Sequence, residues 1–137
     1  MSFYDCKTKI AKWKTKRLLK HIASQRGNGT SMITLMIKSS DRLHRVGRML
    51  KEEEGKASHI KSRINRQSVQ TALVSARQKL KLYTTVPKNG LAIFCGTTDK
   101  NISLAFEPCK PIRHGLYMCD AQFHTESLDA MLADSDQ

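Results

Sequence analysis

An α+β fold, with a mostly antiparallel four-stranded sheet covered by helices and a projecting helix-turn-helix hairpin, is what the order of hydrophobic patterns predicts. Three observations carry that prediction. Helical stripes and strand-like runs succeed one another as helix, strand, two helices, three strands and helix. The run Met32 to Lys38 is apolar and rich in β-branched Ile33, Thr34 and Ile37, as a buried strand requires. Between the two central helices, the stretch Gly55 to Arg63 reads as an exposed turn crowded with cations. With 137 residues, the chain fits a single domain, 1–137, large enough to bury a core without staples.

The first helix spans Asp5 to about Gln25, with Ala11, Leu18, Leu19 and Ile22 on one side and lysines over most of the rest. Trp13 falls off that stripe. Packing against a neighbouring element is its expected use, and stacking on a base is the alternative. Arg26 to Thr30 is a breaker cluster before the first strand, without the GxxxxGK[ST] spacing of a phosphate-cradling loop. Asp41 is a good N-cap type ahead of Leu43, Val46, Met49 and Leu50, so Asp41 to Glu54 reads as a helix stopped by Gly55. Val69, Leu73, Ala76 and Leu80 form the next stripe, but counting back from it lands on Asn65, Arg66 and Ser62. The hairpin's linking end therefore carries Lys56, His59, Lys61, Arg63 and Arg66 with little apolar support. Val86 to Gly90 is a turn, Leu91 to Thr97 and Ile102 to Phe106 form a hairpin around Asp99, Leu116 to Cys119 is a fourth strand, and Glu126 to Ala133 closes the fold as a helix.

The net charge of +12 is unevenly placed. Through Lys88 there are 21 Lys or Arg against 5 Asp or Glu, and from Asn89 onward 3 against 7. Such a field suits a polyphosphate, with RNA or DNA the commonest case, whereas an acidic membrane would need an apolar anchor that is lacking. No run approaches the roughly 18 apolar residues of a membrane span, and Met1 to Asp5 lacks the apolar core of a signal peptide. A cytoplasmic, soluble protein with no membrane partner is expected. Cys6, Cys95, Cys109 and Cys119 include no close CxxC pair, which favours reduced thiols over a disulfide framework.

Two chemistries are weighed against this binding reading. Cys109, His114, Cys119 and His124 are evenly spaced by five, unlike the close pairs of structural zinc sites, so no metal or other cofactor is expected. Glu53 and His59 flank the tip as an acid and base would in RNA cleavage, but nothing in their spacing holds both at one scissile bond. Glu52, Glu53 and Glu54 at a helix C-terminus meet the unfavourable end of the macrodipole, which leaves room for a functional carboxylate. No catalytic residue is assigned.

Lys56 to Arg63 resembles the TASNIKS motif of the eukaryotic class I polypeptide chain release factors, and Gly27 to Ser31 resembles their GTS loop. Tyr117 to Phe123 is similar to their third element, YxCxxxF; the three occur in the family's order, and the likeness runs from about Ile10 to Leu132. In that family this region is the N-terminal domain, which recognises the stop codon of messenger RNA in the ribosomal decoding site. The resemblance implies a codon-binding set of Gly29, Thr30, Ser31, Glu53, Ser58, His59, Ile60, Lys61, Ser62, Arg63, Tyr117, Cys119 and Phe123. It implies Lys61, beside His59, at the first-position uridine; Glu53, Tyr117 and Cys119 at the purines; and Thr30 and Ser31 closing the pocket. Its implied partners are the mRNA stop codon and the ribosomal RNA of the small subunit.

Two departures from the family predict altered or restricted codon preference. His59 stands where the family has asparagine, and Ala121 and Gln122 stand where it usually has an amide and a basic side chain. No Gly-Gly-Gln occurs, so the resemblance implies codon recognition without peptidyl-tRNA hydrolysis, and contact with the GTPase release factor only through domains absent from this sequence. Either an excised domain or a natural single-domain relative is expected, the former favoured by the polar end Asp134 to Gln137. The rival reading is a stand-alone binder that occupies the decoding site as an inhibitor without peptide release.

Overall fold

The computed structural model describes residues 9–27, 29–98 and 100–135. Its elements are α1 (Lys9–Ser24), β1 (Met32–Ile37), α2 (Leu43–Ala57), α3 (Arg63–Leu80), β2 (Leu91–Thr97), β3 (Asn101–Phe106), β4 (Leu116–Asp120) and α4 (Glu126–Ser135). The strands form one sheet in the order β3-β2-β1-β4, with every neighbouring pair antiparallel. Central β1 is buried along its whole length, because helices cover both faces of the sheet.

Alternation along the strands sorts the core into two halves. Ile33, Leu35 and Ile37 join Leu91, Ile93 and Cys95 on one face, where Leu50, Val69, Leu73, Ala76 and Leu80 of the α2–α3 hairpin cover them. Met32 and Met36 join Ala92, Phe94 and Phe106 on the other, against Leu19 and Ile22 of α1 and Leu128 and Leu132 of α4. Leu35 sits opposite Ile93 on one side and Tyr117 on the other, so Tyr117 and Cys119 of edge strand β4 project to the hairpin side.

Several expectations need correction. Asp41 does not cap α2: its carboxylate accepts from the Lys38 backbone N–H at 3.0 Å and closes the turn after β1, leaving Arg42 at the N-cap. Gly55 does not stop α2, which runs on to Ala57. Glycine ends a helix by adopting positive φ, and among the described residues only Gly29 and Gly90 do so. Trp13 is not packed inside; it is 57 % exposed, with the Arg17 guanidinium carbon 4.8 Å from its ring centroid. It lies on the solvent side of α1, and a cation rather than a core covers it. Cys109 is disulfide-bonded, contrary to the expected reduced thiols, whereas Cys95 and Cys119 are free. The absence of a close pair in the sequence excludes only local bridges. The expected start of the first helix at Asp5, the hairpin residue Asp99 and the last two residues of the polar end lie outside the described residues.

Of the three clustered glutamates, Glu54 is taken up structurally. Arg77 of α3 donates from Nη2 to Glu54 Oε1 at 3.1 Å, and its Nε pairs with Glu54 Oε2, pinning the end of α2 to the last turn of α3. Glu53 makes a 3.4 Å pair with exposed Lys56. No described helix is long and apolar enough to cross a membrane.

Candidate nucleic-acid interface

The link between α2 and α3 is held from within, so that its cations point outward. Ile60 is half-buried against the hairpin-side core. Arg66 donates from Nη1 to the Ile60 carbonyl at 3.1 Å, and Ser58 Oγ donates to the Gly55 carbonyl at 2.5 Å. Ser62 caps α3, its Oγ accepting from the Asn65 N–H at 3.3 Å. With its backbone so fixed, the link exposes His59, Lys61 and Arg63.

Asn65 then reaches from the first turn of α3 to the loop before β1. Its Oδ1 accepts from the Thr30 N–H at 3.1 Å, and its Nδ2 donates to Thr30 Oγ1 at 3.3 Å. Gly29 makes that approach possible: its φ is +72°, and a Cβ there would stand 2.7 Å from Asn65 Oδ1. On the other side, the Thr30 carbonyl accepts from Cys119 Sγ at 2.9 Å. Thr30 therefore joins three segments distant in the chain: the hairpin tip, its own loop and β4. The base of the loop is sewn to the continuation of β4, where Gly27 N–H donates to the Ala121 carbonyl at 2.8 Å and Arg26 bridges Gln122.

Electrostatics bring Glu53 into the same cluster. Burial, then the charges of Glu53 and Asp120, push the Cys119 thiol up to about 11. Burial also raises Tyr117, with Cys119 and Glu53 adding to it. Near neutral pH both groups keep their protons; that of the thiol goes to the Thr30 carbonyl, so the surface offers a phenol as donor, the Thr30 hydroxyl, a carboxylate and the cations of the tip. Such a mixture can read the edges of unstacked bases, the carboxylate accepting from exocyclic amines and a lysine donating to carbonyl oxygens. A thiol so strongly held in its protonated form is a poor nucleophile.

The structure thus brings together Thr30, Glu53, Tyr117 and Cys119, and ties Ser62 to them through Asn65. Ser31 turns the other way: it is buried, and its Oγ donates to the Thr97 carbonyl at 3.1 Å. Phe123 lies in the core on the opposite face of the sheet, edge-on to Phe94 with ring centroids 5.4 Å apart. Asn65 escaped the sequence reading as a site residue, although its position where an apolar side chain belongs was the available signal. The four evenly spaced Cys and His residues do not act as a set: Cys109 is in a disulfide, Cys119 is bonded to Thr30, and His114 is exposed. The His124 ring sits between Asp120, at 2.8 Å from Nε2, and Glu126, at 3.2 Å from Nδ1. The bond to Asp120 is the main cause that raises His124 and lowers Asp120. Among the described residues no three His, Cys, Asp or Glu side chains are grouped as a metal would need.

With this geometry in view, residues 10–133 match the family model described as eRF1 domain 1. A eukaryotic peptide chain release factor subunit 1 from Podospora anserina is 49% identical over 139 aligned positions, and its counterpart from Cryptosporidium hominis is 45% identical. Each alignment covers 97% of this chain and 32% of the relative, so the chain spans about a third of the length of these relatives. Among solved structures, an archaeal translation termination factor, aRF1, superposes with a TM-score of 0.84 at 34% identity, over 88% of this chain and 34% of that one. A second archaeal protein superposes with a TM-score of 0.86 at 33% identity, over 90% and 36%.

Proposed function

The chain belongs to the eRF1 domain 1 family, and on that premise we propose that it recognises stop codons of messenger RNA in the small-subunit decoding site during translation termination. The observation that carries this reading is the convergence on Thr30: Asn65 behind the hairpin tip and Cys119 of β4 both bond it, with the charge of Glu53 acting on Cys119. A codon folded into that corner meets Lys61 and His59 at its uridine, and Glu53, Tyr117 and Cys119 at its purines. Ser31 and Phe123 support the walls from inside. The remaining cations hold ribosomal and messenger phosphates, which orient the reader without choosing the codon. Reading rather than peptidyl-tRNA hydrolysis is the activity assigned to these residues, and the cytoplasm is its place. His59, Ala121 and Gln122 narrow the codon preference, a reading supported by their departure from the side chains that the resembled motifs carry at those positions.

Binding of the chain to ribosomes programmed with UAA, UAG, UGA or a sense codon tests both statements. Preference for stop over sense codons is expected, unequal among the three stops. Lys61→Glu should abolish the preference while lowering overall affinity only a few-fold, as expected from one phosphate-range charge among many. Uniform weakening on every codon would favour simple occupancy of the decoding site. Equal binding to all three stop codons would remove the narrowed preference.

A further inference from the structure

Helix α1 carries a feature that codon reading does not use. Its buried residues Leu19 and Ile22 pack on the Phe94 side of the sheet, whereas the hairpin, Tyr117 and Cys119 lie with the other core half. At about 100° per residue, the side of α1 turned away from the sheet reads Ile10, Trp13, Arg17, Lys20 and His21. All five are exposed, Ile10 by 69 % and Trp13 by 57 %. Two large apolar side chains one turn apart are thus presented to solvent on one stripe.

Charge decides what would cover them. Helix α1 carries Lys9, Lys12, Lys14, Lys16, Arg17 and Lys20 and no carboxylate, so its complement is a polyanion. The geometry of the Trp narrows this further. Arg17 lies over the Trp13 ring at 4.8 Å, which makes a flat aromatic and cationic platform. Paired bases in a duplex keep their faces stacked on one another, whereas an unpaired base has a face to offer. We infer that the outward side of α1 is a second RNA-binding surface, which takes an unpaired base on the Trp13–Arg17 pair and the flanking phosphates on Lys9 and Lys20. Because it lies across the sheet from Thr30 and Cys119, both surfaces can be occupied at once.

Trp13 is the only tryptophan of the chain, so its emission reports this surface in the intact protein. The probes are a two-stranded RNA duplex with one bulged adenine, the same duplex fully paired, and poly-glutamate. The bulged duplex should quench Trp13 emission where the paired duplex and poly-glutamate leave it unchanged. In anisotropy measurements with labelled RNA, Trp13→Ala should weaken the bulged duplex about tenfold and leave the paired one unaffected. Substitution of so exposed a residue leaves the core intact, which circular dichroism checks. Arg17→Gln should lower the salt dependence of binding, as a log–log slope, by about 1. Lys61→Glu should leave the quenching in place. Undiminished affinity of Trp13→Ala, or equal quenching by both duplexes, would overturn the inference. Quenching by poly-glutamate as strong as by RNA would overturn it in favour of an acidic protein partner.

Discussion

At Cys119 a single side chain links burial, charge and the candidate surface. Its thiol is half-buried, donates to the Thr30 carbonyl, and is held up to about 11 by burial and by Glu53 and Asp120. Because the raised value favours the protonated form, its thiolate fraction at pH 8 is about 100-fold below that of a thiol titrating at its ordinary value. Alkylation of Cys119, followed by mass spectrometry, should therefore be slow at pH 8 and accelerate until about pH 11. Glu53→Gln removes one cause of the shift and should move that profile toward lower pH. The sequence made Thr30, Glu53 and Cys119 legible through motif resemblance. It did not show that Ser31 faces inward or that Asn65 binds the loop, because a hydroxyl or amide in a polar stretch carries no sign of its direction.

Element boundaries were legible wherever periodicity was strong and misread where a single residue was taken as punctuation. The apolar spacing of α3 and the β-branched run of β1 specify those elements through the faces they bury. Gly55, by contrast, reads as a stop because its chemistry permits one, yet the backbone around it stays helical as the Arg77–Glu54 pair and buried Ala57 hold the last turns of α2 to the core. An added Cβ at Gly55 would meet nothing within 4 Å. Gly55→Ala should therefore raise stability by about 0.5–1 kcal/mol, through the lost conformational freedom of the unfolded chain and better helix propensity. A shift of the urea midpoint at constant slope would show it; a loss of stability would mean that the backbone at Gly55 does not keep the helical conformation.

On the scale of the whole molecule, the sheet is a partition: hairpin and candidate codon surface on one side, α1 and α4 on the other. Its two-sided burial explains why the fold class could be read from the order of apolar patterns, while the orientation of Trp13, off any stripe, could not. Leu73 is fully buried where α3 meets the sheet. Leu73→Ala should cost about 3 kcal/mol in a two-state denaturant titration, a large share of the stability typical of a domain this size. Loss of only a few tenths would show that α3 is not what holds the hairpin to the sheet.

The attachment of Thr30 to its neighbours also sets how often the loop lets go. Freeing it breaks the two bonds to Asn65 and the one to Cys119. At about 1 kcal/mol net for each, detachment costs on the order of 3 kcal/mol, so roughly one molecule in a hundred has a released loop at any moment. That minority is large enough for an incoming ligand to find, and small enough for the assembled corner to be the form that nearly every encounter meets.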